Sequence, residues 1–331
     1  MSMNRSEINI EFTTYCDAKC KMCPRDEFKF GWSTMPFDLY KNILDDAVAN
    51  GVVSLITCGF GEILMDKGVE EKLAYAKTQY PFLKIFVSST ANLIDAKRIH
   101  LMKYVDTLRI SNYGITKEVH EGVHRGGVKF ERVMTNIENI LALPDDVRPY
   151  IVMSFIILPD NQHQVDQWRT YWEPKVDEVL IWKPHNFGSI LDNAFPHKNT
   201  PAKRTCGRPF KGEPYVHVSG EVSVCCFDND RKLVIGDLRK QSLEDILQGE
   251  KLRRIQEIHE SGQFDSSDLI CKNCDQVTDR KDALIYASNK ERKVGVLMGH
   301  PDMITNVGEI ADVIGNDRQQ VSILHQESGR P

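Results

Sequence analysis

Ile8-Asn9-Ile10-Glu11-Phe12-Thr13 runs into Thr14-Tyr15-Cys16-Asp17-Ala18-Lys19-Cys20-Lys21-Met22-Cys23-Pro24, a β-type run followed at once by a C-x3-C-x2-C loop. The spacing gathers three thiolates in one short loop, and three soft sulfur ligands suit iron–sulfur or zinc chemistry. A closed structural zinc site takes four ligands, and no His or fourth Cys stands near this loop. A cluster of four irons held by three cysteines would keep one iron open. A second group, Cys206, Cys225, Cys271 and Cys274, lies far along the chain.

Outward from the loop, β-branched runs alternate with helical patterns. Ile8–Thr13, Val52–Thr57, Leu83–Ser88, Thr107–Ser111, Ile151–Leu158 and Glu178–Trp182 read as strands, mostly continuous apolar runs of the kind found in a parallel sheet covered on both faces. Phe37, Tyr40, Leu44 and Val48 mark one helix, and Phe130, Val133, Met134, Ile137 and Leu141 another. Strand–helix alternation implies right-handed crossovers, and six units suit a partial (β/α)6 TIM-like barrel. In such barrels the loops after the strands carry the chemistry. The first such loop holds Cys16, Cys20 and Cys23.

With 331 residues, 41% hydrophobic and 27% charged, the chain is long enough for one large core and a smaller module. A formal charge of −5 gives no electrostatic case for nucleic acid. No stretch approaches the roughly 20 apolar residues that cross a bilayer, and no signal-peptide core precedes the first strand. A cytoplasmic location is expected, with no membrane partner. There the reducing pool keeps thiols free, so nine cysteines argue for metal or redox chemistry before disulfides.

The first 195 residues resemble the radical S-adenosylmethionine (SAM) superfamily. Its cluster loop is C-x3-C-x2-C, and the resemblance implies that Cys16, Cys20 and Cys23 hold a [4Fe-4S] cluster whose open iron binds SAM. Cys58-Gly59-Phe60-Gly61-Glu62-Ile63-Leu64 is similar to the family's G-x-G-E-P-L segment, with Ile63 in place of Pro. Gly59 and Gly61 would let backbone approach the cofactor, and Glu62 would pair with the SAM ammonium. Asn92 resembles the Asn of a T-N-G turn, Ser111 a ribose-contacting Ser, and Arg125 a partner for the SAM carboxylate. Each also has a plain structural reading, as a turn former or a surface ion pair.

From 196 to 285 the chain resembles the auxiliary-cluster domain called SPASM in its long form and Twitch in its short form. Cys206 leads into a hairpin of Tyr215–Val218 and Val222–Cys226, a helix is expected from Leu243 to His259, and Cys271-Lys-Asn-Cys274 closes the set. No cysteine follows Cys274, so the short form fits, with one auxiliary [4Fe-4S] cluster on four thiolates. Four thiolates would equally suit zinc. Strand alternation puts Cys225 on the ligand face and Cys226 in the apolar core. Residues 286–331 form an extension in which Lys293–Met298 is β-like and Ile304, Val307, Ala311 and Ile314 have helical spacing.

Two further side chains are candidates for catalysis. Cys58, at the end of the second strand, would donate a hydrogen atom to a substrate radical or simply pack. His185, after the sixth strand, would serve as a base or bridge the two modules by hydrogen bonds. The resemblance implies reductive cleavage of SAM to a 5′-deoxyadenosyl radical, hydrogen abstraction, and oxidation of the substrate radical by the auxiliary cluster. The layout most resembles Twitch-bearing dehydrogenases, so a small polar, sugar-like or aminocyclitol-like substrate is expected, with a flavodoxin- or ferredoxin-like electron donor. An epimerase or peptide-modifying maturase is the alternative, although the chain shows no leader-binding domain before its first strand. A non-enzymatic zinc protein is the remote one.

Overall fold

In the computed structural model, residues 3–188, 190–191, 205–278 and 284–289 are described. Six parallel strands form its centre: β1 (Glu7–Ile10), β2 (Ser54–Thr57), β3 (Lys84–Ser89), β4 (Thr107–Ser111), β5 (Tyr150–Ile156) and β6 (Glu178–Trp182). They pair in chain order from β1 to β6, as single-handed crossovers require. The crossovers carry α1 (Phe37–Ala49), α2 (Val69–Gln79), α3 (Lys117–His124), α4 (Phe130–Leu141) and α5 (Val165–Trp172). Between β3 and β4 a 3-10 segment, Ile99–Tyr104, takes the place of an α-helix.

Alternate strand residues, among them Leu55, Ile85, Val87, Leu108, Ile110, Met153, Phe155, Val179 and Ile181, enter the large apolar core with Leu44 of α1, Leu73 of α2 and Ile137 of α4. The intervening positions point to the opposite face, and they include Asn9, Ser54, Ser88, Arg109, Ser111 and Ser154. Both faces are covered, as the sequence reading expected, and the second face is mixed: beside these polar side chains it buries Ile56, Phe86, Val152 and Leu180.

The sheet continues beyond β1. β7 (Tyr215–Val216) pairs parallel with β1, and β8 (Glu221–Ser223) and β9 (Val234–Asp237) follow antiparallel. The expected hairpin thus joins the barrel sheet directly. The single helix expected from Leu243 to His259 is instead two. After the short α6 (Arg208–Lys211), α7 (Leu243–Leu247) ends before Gln248-Gly249, and α8 (Glu250–Ser261) begins there. Ser242 caps α7 by accepting from the Asp245 N–H. At the far edge β10 (Leu284–Ala287) pairs antiparallel with β6. The patterns read at Lys293–Met298 and Ile304–Ile314 lie outside the described residues.

Candidate active site

Cys16, Cys20 and Cys23 follow β1 as expected, and the chain holds their loop from several sides. Arg25, buried, donates from Nη1 to the carbonyls of Cys16, at 3.1 Å, and Ala18. The C-terminal end of α3 docks on the other side, where the Val123 and His124 carbonyls accept the Lys21 and Lys19 N–H groups at 3.0 and 2.9 Å. These are carbonyls that a helix end leaves without an intrahelical partner. Gly126, at φ +67°, lies so close that a Cβ would meet the Asp17 carbonyl oxygen at 2.6 Å. Only glycine fits both that conformation and that distance.

The three sulfurs share one electrostatic neighbourhood. Burial pushes the Cys16 thiol up to about 12 and Cys23 to about 11. Cys20 is pushed well above its ordinary value, first through burial and then through its two companions. The raised values favour the neutral thiols, so positive charge would be needed to hold the three as thiolates. Cys20 Sγ also lies 3.4 Å from Nδ1 of His124, whose ring stacks on Tyr113 at 4.6 Å.

Glu62 is 2% exposed and fully positioned. Its Oε1 accepts from Ser89 Oγ at 2.8 Å and its Oε2 from the Thr90 N–H at 2.9 Å. Burial raises its carboxyl to about 7, against those hydrogen bonds. Gly61 has a packing reason. A Cβ there would meet the Thr13 carbonyl oxygen at 2.0 Å, because the Glu62 N–H bonds to the Tyr15 carbonyl and draws this loop onto the cysteine loop. Gly59 is close-packed in the same way against Glu11 and the Tyr215 hydroxyl.

Asn92 and Arg125 are engaged with the chain itself. Asn92 Nδ2 donates to Asp17 Oδ2 at 2.6 Å, and its Oδ1 accepts the Lys129 N–H, tying the cysteine loop to the start of α4. Arg125 is exposed, and its Nε bonds to the Lys19 carbonyl at 2.9 Å. Both brace the loop from behind. Ser111, half-buried at the end of β4, hydrogen-bonds with the Tyr113 side chain.

Cys58, half-buried after β2, accepts from Nη2 of Arg109 at 3.0 Å, and the same guanidinium reaches Ser88 Oγ at 2.9 Å. Burial raises the Cys58 thiol, and Arg109 opposes that rise. Cys226 departs from the sequence reading. The strand ends at Ser223, and Cys226 is absent from the described apolar clusters. Instead it stands in the electrostatic field of Arg208 and of its neighbour Cys225, and contributes to the field at Cys58.

His185 bridges the two parts of the molecule. Its Nδ1 is 3.0 Å from Gln276 Nε2 and 3.8 Å from Asp275 Oδ2, and its ring centroid is 4.3 Å from that of Phe227. Asn186 beside it exchanges hydrogen bonds with Asp275. Of the two roles read for His185, the geometry displays the bridging one.

Cys206, Cys225, Cys271 and Cys274 line one cavity. Its other walls are mainly apolar, including Pro209, Val224, Leu233 and Ile270. Burial, then Cys206, pushes the Cys271 thiol up to about 12. His124, Tyr113, Arg109 and His259 belong to these two neighbourhoods and were not read from the sequence. A lone His or Arg carries no spacing signal, and the Cys20–His124 contact joins positions 104 apart.

Residues 10–167 match the family model described as the radical SAM superfamily, and residues 206–275 match SPASM, an iron-sulfur cluster-binding domain. The chain thus carries a radical SAM domain followed by a SPASM domain. The first domain implies a [4Fe-4S] cluster and SAM, and the second implies auxiliary iron–sulfur clusters. More particularly, it is similar to the S-adenosyl-L-methionine-dependent 2-deoxy-scyllo-inosamine dehydrogenase of Niallia circulans, 24% identical over 275 residues, covering 82% of this chain and 94% of that protein. Among solved structures it resembles BtrN in complex with AdoMet and 2-DOIA, with a TM-score of 0.60 and 20% identity over 86% of this chain and 100% of the other. It also resembles Streptococcus suis SuiB bound to precursor peptide SuiA, with a TM-score of 0.63 and 14% identity over 84% and 71%. These two likenesses are of fold.

The residues fit the groups that the family implies. Three cysteines share the loop at the first position, and four line one largely apolar cavity at the second. Among the described residues no three His, Cys, Asp or Glu side chains are drawn together tightly enough to hold one ion. A cluster makes no such demand, since each thiolate takes a different iron.

Proposed function

We propose that this enzyme oxidises a small polar substrate, sugar-like or aminocyclitol-like, by hydrogen-atom abstraction, with one auxiliary [4Fe-4S] cluster as electron acceptor. The observation that carries the reading is the division of the cysteines into a set of three and a set of four, the second lining a single cavity. Cys16, Cys20 and Cys23 would hold the SAM-binding cluster, and Cys206, Cys225, Cys271 and Cys274 the auxiliary one. When bound, SAM and its cluster supply a 5′-deoxyadenosyl radical.

The chain's own residues supply binding, orientation and exclusion of water. Glu62, fixed by Ser89 and Thr90, would accept from the SAM ammonium. Gly59 and Gly61 let its loop lie against the cysteine loop, and Asn92 and Arg125 hold that loop from outside. Ser111 stands at the end of β4 for the ribose. Arg109, with Ser88 and Cys58, forms a polar patch that suits substrate hydroxyl groups. A saturated four-thiolate centre is better suited to taking an electron than to ligating substrate. Cytoplasmic residence and a flavodoxin- or ferredoxin-like donor accompany this reading, and among the described residues no helix is long and apolar enough to cross a membrane.

A peptide substrate is the second reading, favoured by the likeness to a structure that holds a precursor peptide. Anaerobic incubation with SAM, reductant and parallel panels of aminocyclitols, sugars and peptides separates the two. An aminocyclitol or sugar that raises 5′-deoxyadenosine output and returns lighter by two hydrogen atoms supports the first. Turnover with peptides alone overturns it.

A further inference from the structure

His259, on α8, is wholly buried and lines the four-cysteine cavity. Its Nδ1 lies 2.9 Å from the hydroxyl of Thr205. That hydroxyl accepts the Gly207 N–H at 3.0 Å through one lone pair and still has a proton to give, which Nδ1 is placed to accept. A neutral imidazole that accepts at Nδ1 carries its hydrogen on Nε2. Among the described residues Nε2 has no hydrogen-bond partner. Around the ring stand Phe210 and Phe264, with centroids 6.5 and 4.9 Å away, neither offering an acceptor. A buried donor left unsatisfied costs about 1–3 kcal/mol. Four cysteine sulfurs line the same cavity as possible acceptors.

We propose that His259 is a positioning residue that donates its Nε2–H to a sulfur of the auxiliary centre and raises that centre's reduction potential. Reduction adds negative charge to the cluster, and a donor aimed at its sulfur stabilises the reduced form more than the oxidised one. The Thr205 hydroxyl is the device that keeps the hydrogen on Nε2. The inference rests on the proposed function and sharpens it, since an auxiliary cluster that accepts an electron from a substrate radical benefits from a raised potential.

The test uses the full chain with Cys16, Cys20 and Cys23 replaced by Ala, so that only the auxiliary centre remains after anaerobic reconstitution with iron and sulfide. In His259→Phe the ratio of reduced to oxidised centre at a fixed potential should fall roughly tenfold, a shift of about 59 mV to more negative values for a one-electron couple. His259→Gln, which keeps an N–H donor, should recover part of that shift. A midpoint unchanged in a fully loaded His259→Phe protein overturns the inference and leaves the proposed function standing. Failure of the His259-containing parent to take up a four-iron cluster overturns both. If the Phe variant does not fold, pulsed EPR of the same parent carrying 15N-histidine decides. Weak 15N coupling to the reduced centre is expected, and no coupling, or the strong coupling of a direct iron ligand, overturns the inference.

Discussion

Sγ of Cys20 and Nδ1 of His124 lie 3.4 Å apart, joining the cysteine loop to the last residue of α3. His124 is entirely buried, stacked on Tyr113 and adjacent to His120 at a ring distance of 4.4 Å. The loop is therefore seated on a helix end that lies more than a hundred residues away. Replacing His124 by Ala should remove a buried ring and destabilise the protein by about 2–4 kcal/mol, in the range for large-to-small core changes. Denaturant unfolding of the apoprotein would measure this, and iron retention at the first cysteine group should fall with it.

Glu62→Gln should weaken SAM binding roughly tenfold, the loss of one charge-assisted hydrogen bond. It should also alter the pH dependence of stability. Burial raises the folded carboxyl from the ordinary 4.5 to about 7. Between those values the native state binds more protons than the unfolded state, so the Glu62 contribution falls as pH rises from 4.5 to 7. Wild type should lose stability relative to the Gln variant across that window and run parallel to it above. A difference independent of pH would contradict the assignment.

Cys58→Ala should leave the oxidised product unchanged, because net oxidation requires no hydrogen atom to be returned to the substrate. Product analysis in deuterated water checks this. Deuterium in a product epimer, lost in the variant, would instead assign Cys58 as a hydrogen donor.

Arg109→Lys should raise KM about tenfold with a smaller effect on kcat. A lysine ammonium does not reproduce the guanidinium fork that meets Ser88 and Cys58 together. Steady-state kinetics on the turnover substrate would show the split.

Lys72 and Asp66 form an ion pair at 2.6 Å with side chains 1% and 2% exposed, and Lys72 also donates to the Met35 carbonyl. Asp66→Asn leaves that ammonium without its counter-charge and should cost about 3–5 kcal/mol. Thermal unfolding at neutral pH would register it.

The six barrel strands were legible because each is a compact β-branched run, and the first cysteine group because its ligands lie within one loop. The polar positions of the inner face were harder to read. Arg109 and Ser88 each look like an interruption within an apolar run, and only the register between β3 and β4 shows them side by side. The break at Gly249 was hidden by apolar spacing that continues across it. The expected cofactor contacts of Asn92 and Arg125 rested on motif likeness, while their hydrogen bonds run to Asp17 and Lys19, partners that only the folded chain brings near. His259 was invisible for the same reason, its significance arising from Thr205 and the cavity together.

The division of labour between the two cysteine groups is tested most directly by iron content after anaerobic reconstitution. Wild type should take up about eight irons per chain, as two four-iron clusters. About four should remain when Cys16, Cys20 and Cys23 are changed to Ala, and about four when Cys206, Cys225, Cys271 and Cys274 are. Zinc without iron in either group, or an iron content that the second set of substitutions leaves untouched, would contradict it.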